Sequence, residues 1–185
     1  MREATDWPRE AVFTIGHSTL AIEQFVRLLS TYGIRTLADV RTIPKSRHNP
    51  QYNADSLAAA LGDQGITYVP MPALGGLRKP NKDSINGGWR NQSFRGYADY
   101  MQTPQFKTAL EDLVTLSQRA RTAIMCAEAV PWRCHRSLIA DALNVHGLPA
   151  VEIFSETNAR LHKLTPFARV EDEAVTYPPV QQTLL

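Results

Sequence analysis

A three-layer α/β fold, with a mostly parallel five-stranded sheet between two layers of helices, is predicted by three observations. Short apolar or β-branched runs alternate with segments of helical periodicity. Most links between them are short. The chain, at 185 residues, suits one domain around one core. Such alternation implies βαβ crossovers and parallel strands covered on both faces. The expected topology is Rossmann-like, but no Gly-x-Gly-x-x-Gly follows the first strand and no phosphate-loop motif occurs, so a dinucleotide fold and a P-loop NTPase are excluded.

Ala11 to Ile15 is a buried strand closed by Gly16. Leu20, Phe25, Leu28 and Leu29 then recur at helical spacing, with Ser18 or Thr19 as the expected cap and Gly33 just past the end. Arg35 to Val40 predicts a second strand, about Asp55 to Leu61 a second helix ending at Gly62, and Ile66 to Pro70 a third strand. From Pro72 to Gly96 there is no sustained apolar period, and Gly75, Gly76, Pro80, Gly87, Gly88 and Gly96 punctuate the stretch. Long irregular segments inside a domain are usually functional. Phe94 to Met101 predicts a short helix, Phe106 to Gln118 a longer one, and Thr122 to Cys126 a fourth strand. A fifth helix is expected from about Trp132 to His146, stopped by Gly147 and Pro149, with Ala150 to Phe154 as the fifth strand. The domain is therefore expected over residues 11–168, with 1–10 and 169–185 as loosely attached termini.

A hydrophobic content of 43% against 21% charged excludes a disordered chain. The net charge of +2 is too small to make the whole surface a footprint for nucleic acid, so any basic site is local. Only two cysteines occur, Cys126 and Cys134, which excludes a disulfide scaffold. With no apolar signal region and no membrane-length run, the expectation is a soluble cytoplasmic protein without a membrane partner.

Ligands of open α/β sheets bind outside the carboxyl ends of the strands, where strand order reverses. Under a 3-2-1-4-5 order, the ends of strands one and four are neighbours there. Polar residues gather on that rim: His17 and Ser18 after strand one; Asp39, Arg41 and then Arg47 after strand two; Cys126, Glu128, Arg133, Cys134, His135 and Arg136 after strand four. Taken singly, Ser18 reads as a helix cap, Cys126 as an apolar filler, and Asp39 with Arg41 as an ion pair. Their concentration on one rim points to a site.

Cys134 is expected in the first turn of the fifth helix, where the helix dipole, Arg133 and Arg136 favour thiolate. On a helix its neighbour His135 points about 100° away, which leaves His17 or Glu128 as its partner. The same helix start is a ready anion site. Arg78, Lys79, Lys82, Arg90 and Arg95, interleaved with Trp89, Phe94 and Tyr97, have the basic and aromatic character of a nucleotide or single-strand surface. Six residues rather than five separate Cys126 from Arg133 and none is glycine, so a tyrosine-phosphatase loop is excluded. The cysteines lack the paired spacing of structural zinc, and no metal site is assigned.

Thr14-Ile15-Gly16-His17-Ser18, Asp39-Val40-Arg41 with the Pro44 to Tyr52 segment, Leu74-Gly75-Gly76, and Cys126-Ala127-Glu128 followed by Pro131-x-x-Cys134-His135-Arg136 together resemble the domain-of-unknown-function 488 family over about residues 12–168. The resemblance implies a cytoplasmic α/β domain of prokaryotic type and names no reaction.

The leading expectation is an enzyme acting on a phosphate-bearing small molecule or nucleic acid. His17, Asp39, Glu128 and Cys134 would be its catalytic residues, and Ser18, Arg41, Arg47, Arg78, Trp89, Arg133, His135 and Arg136 would bind the substrate. Two rivals stand beside it: cysteine-based redox or sulfur transfer, and a non-catalytic nucleic-acid module on the Gly75 to Tyr97 stretch. No cofactor and no oligomeric state follow from the sequence.

Overall fold

The computed structural model describes residues 7–179. Along the chain come β1 (Val12–Gly16), α1 (Ile22–Thr31), β2 (Thr36–Asp39), α2 (Ala54–Gly62), β3 (Thr67–Pro70), α3 (Gln92–Tyr100), α4 (Pro104–Arg119), β4 (Thr122–Cys126), α5 (Arg136–Val145), β5 (Ala150–Ser155), β6 (Asn158–Leu161), β7 (Arg169–Glu171) and β8 (Ala174–Thr176).

Six strands form the main sheet in the order β3-β2-β4-β1-β5-β6. All pairs are parallel except β5 with β6, an antiparallel addition to the five strands expected. The order corrects 3-2-1-4-5. After β3 the chain builds two helices, α3 and α4, before returning, and it lands between β2 and β1. The ends of β1 and β4 are still adjacent, with Gly16 level with Cys126, and β2 is now on the other side of β4, with Asp39 level with Met125.

Alternation along the strands divides the core into two layers. Phe13, Ile15, Leu37, Met125 and Val151 face Phe25, Leu28 and Leu29 of α1 and Leu57 and Leu61 of α2. Val12, Ala38, Ile124 and Cys126 face Leu110 and Leu113 of α4 and Leu138, Ile139 and Leu143 of α5. Each fully buried aliphatic side chain stabilises by roughly 1.5–3 kcal/mol. Strands covered on both faces read as unbroken apolar runs, which is why β1 and β4 are plain in the sequence.

The local starts differ from expectation. Ala21 is the N-cap of α1 and gives no side-chain hydrogen bond. Ser18 lies three residues earlier in a left-handed turn, φ 47°, where its backbone N–H donates to the Ala127 carbonyl at 3.0 Å. The fifth helix also starts late. Pro131–Arg133 makes a single 3₁₀ turn, Cys134 is extended with φ −137° and ψ 147°, and α5 begins at Arg136. Cys134 is thus in the loop before the helix, not in its first turn.

The stretch after β3 is ordered by Asp99 of α3, which accepts from the Asn81 N–H at 2.8 Å, the Ser84 hydroxyl at 2.6 Å and the Asn86 amide at 2.8 Å. Residues 169–179, expected to be loosely attached, instead hold the β7-β8 hairpin and the buried Tyr177, whose hydroxyl donates to Asp141 of α5 at 2.8 Å. Trp7 near the other end is buried. Residues 1–6 and 180–185 of the expected termini lie outside the described residues. Among the described residues no helix is long and apolar enough to cross a membrane.

Candidate functional site

Arg136, the first residue of α5, is the centre of the site. It is 1% exposed and points back under the end of the sheet. Its Nη1 donates to Thr14 Oγ1 of β1 at 2.6 Å, its Nη2 to the Glu128 carbonyl at 2.7 Å, and its Nε to Cys126 Sγ at 2.9 Å. A buried cation is tolerated only when its donors are taken and its charge has a partner. Here each of the three nitrogens has a partner in β1, in β4 or in the loop after it, and the charge faces two sulfurs.

Those sulfurs are in contact. Cys126 Sγ lies 2.7 Å from Cys134 Sγ, and both cysteines are free thiols. Burial drives the Cys126 thiol up, so it keeps its proton. Cys134 falls to about 6, first because the Cys126 thiol donates to its sulfur, and against the opposing effect of burial because Arg136 is close. The two shifts run in opposite directions, which favours a protonated Cys126 as donor and an acidic Cys134 as acceptor beside the guanidinium.

His135 lies beside Cys134 as an acceptor for the proton of its thiol form. Because Cys134 is extended rather than helical, the expected divergence of the two side chains does not occur: His135 Nδ1 is 3.5 Å from Cys134 Sγ. Nε2 donates to the Val40 carbonyl at 2.9 Å, which leaves Nδ1 as the acceptor. Burial lowers the pKa of His135, favouring the neutral ring. Gly76 lies against this ring with no room for a Cβ. Neither His17 nor Glu128 meets the Cys134 sulfur.

His17 belongs to a neighbouring network. Asp39 accepts from Arg41 Nη2 at 2.6 Å, from Arg41 Nε at 2.8 Å and from the Tyr68 hydroxyl at 2.7 Å, so its carboxylate is fully engaged. Arg41 Nη2 also donates to the Tyr52 carbonyl at 2.8 Å, and Nη1 lies 3.5 Å from His17 Nε2. His17 stacks on Tyr52 at 3.9 Å and donates from Nδ1 to the Ser18 carbonyl. Burial pushes its pKa down to about 4, so at neutral pH it is an uncharged acceptor facing Arg41. Asp39 and Arg41 are therefore the ion pair that one reading of the sequence anticipated.

A cavity of about 360 Å³ opens over the thiols, walled by Arg41, Ile43, Leu77, Phe94, Glu128 and Arg133 around Cys126, Cys134 and His135. Ile43 and Leu77 are large exposed apolar side chains. A second cavity, about 530 Å³, continues past Arg41 toward His17 and Ser18. A third, about 560 Å³, lies between α4 and the β7-β8 hairpin and contains no cysteine.

Other expected residues lie apart. Trp89 stacks on Phe94 at 4.7 Å and packs edge-on to Phe167, and Tyr97 is fully buried, so Trp89 and Tyr97 pack against other rings while half-buried Phe94 also reaches the cavity over the thiols. Arg78 lies 3.6 Å over the Tyr100 ring and donates to the Gly75 and Ala73 carbonyls. Arg47 is exposed and lines none of these three cavities. Among the described residues no group of three or more His, Cys, Asp or Glu side chains is arranged to hold a metal ion.

Cys126, which taken singly reads as filler, belongs to the rim cluster and to the thiol rival, while the sequence assigns no role to Thr14, Tyr52 or Tyr68. The chain's only two cysteines bracket a single loop, which was the available sign for Cys126. Thr14 is a lone hydroxyl in an apolar strand. Nothing marks Tyr52 or Tyr68, which reach the site through the fold.

Residues 21–143 match the family described as Domain of unknown function DUF488. The matched segment contains Asp39, Arg41, both cysteines, His135 and Arg136, and begins after His17 and Ser18. No curated protein and no solved structure matches the chain.

Proposed function

Since the chain belongs to the family of Domain of unknown function DUF488, a description that prescribes no reaction, we propose from its site that it is a dithiol oxidoreductase. Cys134 is the attacking thiolate and Cys126 the resolving thiol. The observation that carries this reading is the pair of sulfurs 2.7 Å apart, with opposite shifts in acidity, at the floor of a cavity.

The electron count is as follows. The Cys134 thiolate attacks one sulfur of a substrate disulfide; that S–S bond breaks, a mixed disulfide forms, and the first thiolate leaves with the proton of Cys126. Arg136 Nε, already on Cys126 Sγ, stabilises the thiolate so formed. Cys126 then attacks the Cys134 sulfur, the mixed disulfide breaks, and the second thiolate leaves. Two electrons pass from the cysteines to the substrate, and a thiol reductant restores the pair.

The phosphate reading has weaker support. Of its three arginines, Arg136 is turned inward to Thr14, Cys126 and the Glu128 carbonyl, and Arg41 gives Nε and Nη2 to Asp39 and Tyr52, which leaves it one N–H at Nη1 and leaves Arg133 exposed at the cavity, too few donors for a phosphate. The nucleic-acid surface has fewer stacking faces than the sequence suggests, since Tyr97 is buried and Trp89 and Phe94 stack on each other.

Reduced protein mixed with a small disulfide tests the proposal. Release of two thiols per chain, with Cys126 and Cys134 recovered as one cross-linked peptide, is the expected result. Release of one thiol and a stable adduct on Cys134, or no reaction, would count against it.

A further inference from the structure

Resting on the dithiol reading, we infer that the substrate is a small disulfide whose arm carries both a carboxylate and an ammonium group, as an α-amino acid does. The two sulfurs are at the bottom of a cavity, with Cys126 3% and Cys134 6% exposed, so the disulfide of a folded protein cannot reach them. Cavities of about 360 and 530 Å³ fall in the range of small-molecule sites. They share Arg41, Ile43, Ala127 and Glu128 as walls and so form one path: the disulfide over Cys134, its arm beyond Arg41.

The second cavity offers both charges. Arg41 has Nε and Nη2 bound to Asp39 and Tyr52, but Nη1 faces His17 Nε2 alone at 3.5 Å, and one of its two N–H groups stays available to a carboxylate. Lys45 lines the same cavity, exposed. Glu128 faces it too, its side chain exposed and in no ion pair or hydrogen bond among the described residues. Ser18, Ser46 and Asn49 complete a polar wall. A lone anion would meet Glu128 and a lone cation would meet Lys45, whereas a group bearing both signs satisfies each.

Three small disulfides separate the possibilities: cystine, with both charges; cystamine, without the carboxylate; and dithiodipropionate, without the ammonium. The rate at which each oxidises the reduced protein is divided by its rate with a free small thiol, which removes the reagent's own reactivity. Cystine is expected to exceed the other two by about tenfold or more, the scale on which a built polar site discriminates. Lys45→Ala should narrow the gap between cystine and cystamine, and Glu128→Gln the gap between cystine and dithiodipropionate. Equal normalised rates, with two thiols still consumed per chain, would overturn this inference and leave the dithiol reading standing. Failure of all three to oxidise the cysteines would remove both.

Discussion

Arg136 Nε meets Cys126 Sγ at 2.9 Å inside the sheet end, while the same guanidinium ties Thr14 of β1 to the Glu128 carbonyl of the following loop. One side chain thus fixes the loop and polarises the thiols. Structure and reactivity should fail together when it is removed.

Arg136→Met keeps much of the volume and removes the donors. It leaves the Thr14 hydroxyl and the Glu128 carbonyl without them, and a loss of roughly 2–4 kcal/mol is expected. Alkylation of Cys134 at neutral pH should slow as well. Thermal unfolding and alkylation kinetics on one preparation check both; a fast thiol in a destabilised protein would separate the two roles.

Cys126→Ala removes the foremost support of the Cys134 thiolate, the hydrogen bond from its neighbour. Cys134 should titrate at least about one unit higher than in the parent protein, a difference worth roughly 1.4 kcal/mol between protonation states. The pH dependence of alkylation at the single remaining cysteine measures it. An unchanged midpoint would assign the thiolate to Arg136 alone.

The Asp39–Arg41 pair is buried on both sides, with side chains 1% and 8% exposed. Asp39→Ala leaves Arg41 unpaired and should cost about 3–5 kcal/mol, as breaking buried pairs does. Tyr68→Phe removes one hydrogen bond to the same carboxylate and should cost about 1 kcal/mol. Denaturant titrations of the two variants decide whether this network is a scaffold.

A second buried cluster predicts a pH dependence of stability. His162 Nδ1 lies 2.9 Å from Glu152 and Nε2 2.8 Å from Asp141, which also receives the Tyr177 hydroxyl and the Thr165 N–H. Burial opposes the charged ring, but the hydrogen bonds to the two carboxylates outweigh it and raise His162 to about 9. With an ordinary value near 6.5 in the unfolded chain, this contribution is complete below about 6.5 and is lost as the pH rises through about 9. Cys134, lowered in the folded state, contributes a slope of the opposite sign over much of the same window, so the test is the difference between proteins: unfolding free energy should change less favourably with rising pH in the parent protein than in His162→Gln. Equal slopes in both would remove His162 as a source of the pH dependence.

The strands and the rim were legible because burial on two faces writes a continuous apolar signal, and because the polar residues at the ends of β1, β2 and β4 break it. Strand order was not. Nothing local says that the chain passing through α3 and α4 returns between β2 and β1; the adjacency of the β1 and β4 ends was expected, but only the folded register puts β2 on the other side of β4, with Asp39 level with Met125. The relation of Cys134 to His135 was missed for a local reason. The helical signal runs back to Trp132, while the 3₁₀ turn at Pro131–Arg133 leaves Cys134 extended and turns the imidazole toward its sulfur. The hairpin β7-β8 escaped notice because its strands are three residues each and mostly exposed.

The most direct test of the account is the rate of alkylation of the reduced protein against pH, with the modified cysteine identified by peptide mapping. The site predicts a fast reaction at Cys134 with a midpoint near 6 and no competing reaction at Cys126 below the alkaline range. A Cys134 midpoint at or above about 8.5, the ordinary value of a thiol, would show that the two sulfurs and Arg136 do not cooperate, and the dithiol mechanism would fall with it.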